Sequence, residues 1–321
     1  MGSLANKVAP PCRSVNAASR TDPEAPHPYD RPSVNRAADH LPQLVQTLRV
    51  RTVYTDLDGT LLGPGGSLFA TLGGTSREPA AAVAALLEAG ITLTVLSGRT
   101  RDQIREVARV VGAAAYIAEL GGLLVYRREW AEEVIRMDGV ARGLGTAAEA
   151  IDRSGAAGFL LEAYPGRLEP HAPWAFLDRE CSILLRGSID VDEAKGILSE
   201  AGYGWLDVLD NGILAGGPDR FPDLEVEQVH VYHLVPAGVS KRSAVAVDRA
   251  RRGLDAEECI VVGDSPSDAA VAAEVGAVFI VANGAPAIRG ERLSENVYLL
   301  DRNHGLGFTD AVMPFIEDQG R

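Results

Sequence analysis

Three short motifs carry the carboxylates, the hydroxyl and the cation that phosphate chemistry needs. They are Thr55–Thr60 (TDLDGT), Leu96–Arg99 (LSGR) and Val262–Asp268 (VGDSPSD). Each follows an apolar, β-branched run that predicts a buried strand, and the carboxyl ends of parallel strands are where open sheets bind ligands. We therefore expect four carboxylates, a hydroxyl and an arginine at one sheet edge. Oxygen ligands suit Mg²⁺, so the motifs predict metal-assisted chemistry on a phosphate.

The pair Asp56 and Asp58 is the central signal. Residues i and i+2 lie on the same side of a continuing strand, and Gly59 lets the chain turn away. One carboxylate can attack phosphorus to form an aspartyl-phosphate, and the other can protonate the leaving oxygen and then activate water. Mg²⁺ would hold the attacking carboxylate beside the phosphate. The alternative is an aspartate-rich turn with no catalytic role.

The other two motifs offer groups for an anion and for a metal. Ser97 and Arg99 precede a predicted helix, where a hydroxyl and N–H groups form an anion site, although a simple N-cap is the alternative. Asp264 is placed as a metal ligand after its strand. Asp268, in the first turn of the next helix, could hold a metal-bound water, orient Lys241 or only stabilise the helix dipole.

Outside these motifs, three further residues are candidates. Lys241 begins a predicted helix, where a cation opposes the helix dipole; it stabilises a phosphoryl transition state if it faces the acidic cluster and is otherwise a surface lysine. Arg179 binds an anionic substrate group or is simply solvated. His230 and His233 form HxxH, but Val, Tyr and Leu around them predict a strand. Residues i and i+3 of a strand face opposite sides, so His233 is kept only as a substrate contact.

The composition excludes several classes of partner. A chain of 321 residues suits one large or two medium domains. Its net charge of −13 argues against nucleic acid and anionic membranes as partners, and no apolar run reaches the length of a membrane span. The three cysteines are far apart and show no CxxC spacing, which predicts a cytoplasmic protein. The oligomeric state stays open, and the expected partner is a small phosphorylated metabolite.

The order of the predicted elements gives the fold class. Residues 1–48 read as a mobile tail with a short helix near Leu41–Leu48. From Val50 strands and helices alternate, which predicts an α/β fold, a Rossmann-like parallel sheet with helices on both faces. In the middle, half-exposed strands and helices predict an α+β module with an antiparallel sheet. Its elements are a helix near Val140–Arg153, strands near Phe159–Ala163 and Ser182–Arg186, a helix near Val191–Ala201 and a strand near Val229–Leu234.

The α/β pattern resumes near Lys241. We therefore predict one core domain over residues 49–127 and 236–321 and an inserted domain over residues 128–235.

The motifs, in this order, resemble the haloacid dehalogenase (HAD) superfamily of phosphohydrolases over about residues 50–285. The resemblance implies a Rossmann-like core, Mg²⁺ and an aspartyl-phosphate mechanism. It makes Asp56 the nucleophile and Asp58 the acid/base, and it gives the Asp58 carbonyl a place on the metal. The implied phosphate-binding and substrate-binding residues are Thr60, Ser97, Gly98, Arg99, Arg179 and His233. The implied metal-binding residues are Asp56, Asp58, Asp264 and Asp268, and Lys241 is implied to stabilise the phosphate.

The inserted domain resembles the C2-type cap of the Cof-like, type IIB branch, and within it the mannosyl-3-phosphoglycerate phosphatases are most similar. Residues 263–268 (GDSPSD) are similar to GDSPND, residues 97–104 (SGRTRDQI) to SSKTRAEI, and residues 119–122 (ELGG) to ENGG. Leu120, Ser267 and Gly98-Arg99 depart from that pattern. The implied activity is hydrolysis of a small phosphorylated sugar or glycosyl-acid. The alternatives are a sugar phosphomutase on the same scaffold and a non-catalytic sugar-phosphate sensor.

Overall fold

The computed structural model describes residues 35–129, 131–139, 145–214 and 217–319. The strands are β1 Asn35–Arg36, β2 Thr52–Asp56, β3 Ala70–Thr71, β4 Gly74–Thr75, β5 Thr92–Leu96, β6 Ala115–Ala118, β7 Leu123–Arg127, β8 Glu132–Arg136, β9 Leu168–Pro170, β10 Ile183–Gly187, β11 Leu206–Ile213, β12 His230–Pro236, β13 Cys259–Gly263, β14 Ala277–Ile280 and β15 Val297–Leu299. The helices are α1 Ala37–Thr47, α2 Glu78–Glu88, α3 Arg101–Val110, α4 Ala147–Ser154, α5 Ala156–Ala163, α6 Val191–Leu198, α7 Lys241–Arg252, α8 Pro266–Ala269 and α9 His304–Gln319. None of these helices is both long and apolar enough to cross a bilayer.

The main sheet has the order β1-β15-β14-β13-β2-β5-β6-β7-β8. Pairing is parallel from β1 to β6 and antiparallel where β7 and β8 are added. Strand β2 lies between β13 and β5, so the three strands that lead into the sequence motifs are neighbours. This confirms the predicted α/β class, and it brings the motifs to the same sheet edge.

Helices cover both faces of the main sheet, which explains why β2 and β13 are buried along their whole length. On one face, Val53 belongs to an apolar cluster with Leu86 of α2 and Phe308 of α9. On the other face, the next residue, Tyr54, donates a hydrogen bond to Asp248 of α7. Because side chains alternate along a strand, Asp56 faces α7 as Tyr54 does.

A second, antiparallel sheet of order β11-β12-β10-β9 lies in the middle of the chain, with α4, α5 and α6 packed against it around one apolar cluster. We call these elements, residues 145–236 as far as they are described, the inserted unit. The predicted antiparallel α+β module agrees with this arrangement. The predicted strand at Phe159–Ala163 is wrong, because these residues lie in α5, where Ala156, Ala157 and Leu160 are buried at helical spacing.

The predicted boundaries also differ from the observed elements. Strand β8 pairs with β7 in the main sheet, so residues 132–136 lie in the main sheet and not in the inserted unit, where they were predicted. The predicted tail ran to residue 48, but β1 pairs with β15 and α1 packs on the apolar core through Leu44. Residues 1–34 of that prediction, and residues 140–144 of the predicted helix near Val140–Arg153, lie outside the described residues.

Candidate active site

The chain makes a tight turn directly after β2, and this turn carries the first motif. Asp56 is the last strand residue and is buried, and its carbonyl accepts a hydrogen bond from the Leu61 N–H. Gly59 has φ +90°, and a Cβ there would lie 2.0 Å from Oδ2 of Asp264. Only glycine allows that approach, so the first and third motifs meet at the end of β2.

Lys241 is the first residue of α7, after the N-cap Ser240. Its Nζ donates to Oδ1 of Asp56 at 2.7 Å and to Oδ1 of Asp268 at 2.8 Å. The side chain is only about 1% exposed, so Lys241 is not a surface lysine. Burial alone would lower the pKa of Lys241, but the charges of Asp268 and Asp56 outweigh burial and raise it. The lysine is therefore a fixed cation beside Asp56.

Asp268 uses both carboxylate oxygens within the protein. Oδ1 accepts from Lys241, and Oδ2 accepts from the N–H groups of Asp264 and Ser265 and from the Ser265 hydroxyl at 2.6 Å. Asp268 is fully buried. Of its three predicted roles, these contacts favour the orientation of Lys241. Both oxygens of Asp268 are bonded to protein groups, so neither is directed at a metal.

Two of the carboxyls at this edge have strongly perturbed acidity. Burial raises the pKa of Asp56 to about 7, while Lys241 opposes the rise and Asp268 adds to it. Burial, with the charges of Asp56 and Asp268, raises the pKa of Asp264 well above its usual range. A cation bound between Asp56 and Asp264 would offset both burial and their mutual repulsion, so their acidity fits a metal site.

The donor set fits Mg²⁺ in particular. Among the described residues, no group of three or more His, Cys, Asp or Glu side chains is arranged to hold a metal. Mg²⁺ does not need one, because it usually keeps several waters and binds one or two carboxylates plus a substrate phosphate. Asp56 and Asp264 supply two such carboxylates.

Asp58 points toward Arg99 and away from the buried cluster. The guanidinium holds Asp58 through two hydrogen bonds, Nε to Oδ2 at 2.7 Å and Nη2 to Oδ1 at 2.5 Å. The Asp58 side chain is about half exposed. This pairing, mainly through the hydrogen bonds from Arg99, raises the pKa of the Arg99 guanidinium. The Asp58 carboxylate, predicted as the acid/base, is thus engaged by an arginine in this arrangement.

The second motif forms a turn between β5 and α3. Helix α3 is capped by Thr100, with Gln103 completing a capping box, so Ser97 is not its N-cap. Ser97 is buried, and its Oγ accepts from the Arg99 N–H at 3.1 Å. Thr60, another predicted phosphate contact, is fully buried, and its hydroxyl has no partner among the described residues.

A cavity of about 810 Å³ lies between this sheet edge and the inserted unit. The predicted site residues that line it are Asp56, Asp58, Ser97, Gly98, Arg99, Arg179, His233 and Asp264. Lys241, Asp268 and Thr60 are not among the lining residues; the first two lie buried behind Asp56. The structure thus brings most of the predicted set to one cavity.

Two of the lining residues that the sequence reasoning missed, Asn283 and His304, contact the turn after β2. Nδ2 of Asn283 donates to the Gly59 carbonyl at 2.8 Å and lies 3.5 Å from Oδ2 of Asp264, and Nδ1 of His304 is 2.9 Å from the same carbonyl. Both fix the turn that carries Asp58. Asn283 follows β14, so the rule that strand ends meet at one edge was the available signal.

Glu119 and Arg179 connect the inserted unit to the elements of the main sheet. Glu119, buried at the end of β6, accepts from the N–H groups of Glu180, Cys181 and Ser182 and from the Ser182 hydroxyl. Arg179 lies 3.6 Å from Glu119 and donates to the Gly98 carbonyl. Arg179, predicted as a substrate contact, therefore also joins the inserted unit to the second motif.

No family model matches the sequence. The chain is 27% identical over 268 residues to the phosphoglycolate phosphatase of Methanoculleus marisnigri, covering 83% of this chain and 97% of the relative. The sucrose-phosphatase of Synechocystis sp. PCC6803, solved with sucrose and phosphate, superposes with a TM-score of 0.55 at 16% identity, covering 84% of this chain and 98% of that one.

A phosphatase of the HAD superfamily from Bacteroides thetaiotaomicron superposes equally well, with a TM-score of 0.55 at 15% identity over 83% of this chain and 95% of that one. The chain thus has the fold of the HAD-superfamily phosphatases, as the motifs predict. The curated relatives that it resembles are named as phosphatases.

Proposed function

We propose that the protein is a Mg²⁺-dependent phosphatase that hydrolyses a small phosphorylated sugar or glycosyl-phosphoglycerate through an aspartyl-phosphate at Asp56. The contact of 2.7 Å between Lys241 and Asp56 carries the proposal. It fixes one oxygen of a buried carboxylate at the end of β2, in a residue that lines a cavity large enough for a small metabolite. The relatives support a small phosphorylated substrate.

In the first half-reaction, an oxygen of Asp56 attacks phosphorus and the phosphorus–oxygen ester bond breaks. Asp58, which takes up a proton from solvent once it has parted from Arg99, gives that proton to the leaving oxygen. Lys241 keeps Asp56 oriented and places a positive charge beside the phosphoryl group. In the second half-reaction, Asp58 removes a proton from water, the water oxygen attacks phosphorus and the aspartyl bond breaks. Inorganic phosphate and the Asp56 carboxylate result.

Asp58 reaches the leaving oxygen only after it parts from Arg99. A phosphate dianion is a good competitor for the guanidinium, because arginine binds phosphate through two parallel hydrogen bonds as it binds a carboxylate. Substrate binding at Arg99 and release of Asp58 are therefore proposed to occur together. Gly98 and Ser97 complete the proposed phosphate loop through the turn that precedes α3.

Asp56, Asp264 and the backbone carbonyl of Asp58 are the proposed Mg²⁺ ligands. When bound, Mg²⁺ offsets the repulsion between the Asp56 carboxylate and the phosphate. Asp268 is proposed to position Lys241, because its oxygens are already engaged. A cytoplasmic location and specificity for mannosyl-3-phosphoglycerate stay predictions.

The test is phosphate release from a panel of phosphorylated sugars, glycosyl-phosphoglycerates and p-nitrophenyl phosphate, with Mg²⁺ and with EDTA. We expect Mg²⁺-dependent release that Asp56→Asn abolishes and that the exposed control Asp102→Asn leaves unchanged. Turnover by Asp56→Asn would reject the nucleophile. Binding without turnover in the unmodified protein would favour a sensor, and transfer to a second sugar hydroxyl in the presence of a bisphosphate would favour a phosphomutase.

A further inference from the structure

His233 has one ring nitrogen bonded and one without a partner. The residue lies on β12 of the inserted unit and is fully buried. Its Nδ1 is 3.1 Å from Oγ of Ser182, whereas its Nε2 has no hydrogen-bond partner among the described residues. His233 lines the cavity beside the second motif, since a Cβ on Gly98 would lie 2.8 Å from Nε2. A buried nitrogen left unpaired costs free energy unless a ligand completes it.

The proton of the Ser182 hydroxyl is already committed. Ser182 Oγ donates to Oε2 of Glu119 at 2.7 Å. Three backbone N–H groups also donate to the Glu119 carboxylate, so its oxygens act as acceptors throughout. Ser182 Oγ in turn accepts from Nη1 of Arg179 at 2.9 Å. A hydroxyl has one proton and two lone pairs, so only one lone pair is left for His233.

The hydrogen of His233 must therefore lie on Nδ1. Ser182 can only accept from that nitrogen, which makes Nδ1 the donor. Burial, with the charges of Arg179 and Lys241, lowers the pKa of His233 well below its usual range, so the ring is neutral and carries a single proton. Nε2 is then a bare acceptor, and its natural partner is a hydroxyl or N–H donor.

The cations around the cavity are engaged by the protein. Arg99 pairs with Asp58 and, once substrate binds, is proposed to hold the phosphate instead. Arg179 donates to the carbonyls of Trp174 and Gly98 and to Ser182. Burial, with Arg186 and Arg179, lowers the pKa of His171 to about 4, so that ring is neutral near pH 7. The apolar residues Leu184, Ile213 and Val231 also line the cavity. A carboxylate on the leaving group would be repelled by the lone pair on Nε2, and none of these groups would be free to pair with its charge.

We propose that His233 is a specificity-determining residue whose Nε2 accepts a hydrogen bond from a hydroxyl of the leaving group. The enzyme thereby selects a phosphate ester whose leaving group is uncharged and carries a hydroxyl over an ester whose leaving group carries a carboxylate. This inference rests on the proposed function, and it narrows the substrate class to the neutral members.

Matched substrate pairs test the inference. Glycerol 3-phosphate is compared with 3-phosphoglycerate and glucose 6-phosphate with 6-phosphogluconate, and p-nitrophenyl phosphate is the reference without a hydroxyl. We expect the neutral member of each pair to have at least about tenfold higher kcat/KM, the effect of one lost hydrogen bond to a buried group. In His233→Phe, the ratio of kcat/KM for a sugar phosphate to kcat/KM for p-nitrophenyl phosphate should fall about tenfold. His233→Gln, which keeps an acceptor, should restore part of it.

The matched control is His230→Phe, on the same strand but bonded to Asp210, which should leave the ratio unchanged. Nitrogen NMR of labelled histidine reads the tautomer without any variant, and a proton on Nε2 would overturn the inference. Preference for the carboxylate members, or an unchanged ratio in folded His233→Phe, would also overturn it while leaving the phosphatase intact. No release from any compound, p-nitrophenyl phosphate included, would instead reject the proposed function.

Discussion

The Tyr54 hydroxyl donates a hydrogen bond of 2.7 Å to Oδ2 of Asp248, tying strand β2 to helix α7. Tyr54 lies two residues before Asp56, and Asp248 lies seven residues after Lys241. The strand and the helix are thus joined twice on the same face, once by a structural pair and once by the pair at the cavity. Because Tyr126 also donates to the fully buried Asp248, that carboxylate fixes the position of α7 and, through it, of Lys241.

Removing the Tyr54 hydroxyl should lower both stability and turnover. Tyr54→Phe loses a hydrogen bond to a buried charge, which costs about 1.5–3 kcal/mol of unfolding free energy, and it loosens α7 next to Lys241. Urea unfolding and kcat are the measurements. Tyr116→Phe, which loses a hydrogen bond to Glu132 away from α7, is the control and should retain kcat. Equal kcat in the two variants would mean that the link between β2 and α7 does not position the lysine.

Replacing Lys241 should produce a loss of stability that grows with pH. Lys241→Met leaves Asp56 and Asp268 buried without their cation, a change that costs about 3–5 kcal/mol in buried ion pairs. Burial raises the pKa of Asp56 to about 7 even with the lysine present, and the variant raises it further. A raised folded-state pKa contributes stability at low pH that is lost as pH rises through it.

Urea midpoints in EDTA at about pH 5 and about pH 8 measure this dependence. The loss in Lys241→Met should be larger at the higher pH. Lys195→Met, which breaks the exposed pair with Asp207, should cost at most about 1 kcal/mol at either pH. A pH-independent loss in Lys241→Met would contradict the assignment of the raised pKa to Asp56.

A methyl group at residue 98 should impair substrate binding. The Cβ of Gly98→Ala would lie 2.7 Å from Nδ2 of Asn211 and 2.8 Å from Nε2 of His233, so these two side chains, or the inserted unit that carries them, must move away from the second motif. We expect KM to rise about tenfold or more, since displacing a positioned group by even about 1 Å is costly. Gly196→Ala, in open space on α6, serves as the control and should change stability by under about 1 kcal/mol. An unchanged KM in Gly98→Ala would mean that the Asn211 and His233 side chains have no fixed position that substrate binding needs.

Acid should destabilise the protein partly through His171. Its pKa is lowered to about 4, mainly by burial and also by the charges of Arg186 and Arg179. The unfolded state binds this proton near pH 6.5 and the folded state only near pH 4, so stability falls as pH drops through that window. His171→Gln removes one titrating group and should flatten the slope of unfolding free energy against pH by up to about 1.4 kcal/mol per unit. An unchanged slope between about pH 4 and 6.5 would contradict a neutral His171.

The sequence predicted the residues at strand ends better than the contacts between distant segments. Asp56 and Asp264 follow from local motifs, because a buried strand and the turn beside it are encoded within a few residues. For Lys241 the local pattern leaves a surface lysine and a site cation both open, because its partners Asp56 and Asp268 lie 185 and 27 residues away in the sequence. Glu119 was noticed only as part of a resemblance. Its bonds to Glu180–Ser182 join segments about sixty residues apart, and no local pattern encodes that register. Phe159–Ala163 was misassigned because short apolar runs fit a strand and a buried helix equally well.

Glu119 also bears on the timing of turnover. Three successive backbone N–H groups and a hydroxyl converge on this one carboxylate, so moving the inserted unit away from Glu119 would break four hydrogen bonds to one buried group. Any opening of the inserted unit during turnover would have to break this set of bonds, so we expect opening to be rare. Turnover would be paced by the frequency of that event rather than by the chemistry, and the rate would fall as solvent viscosity rises.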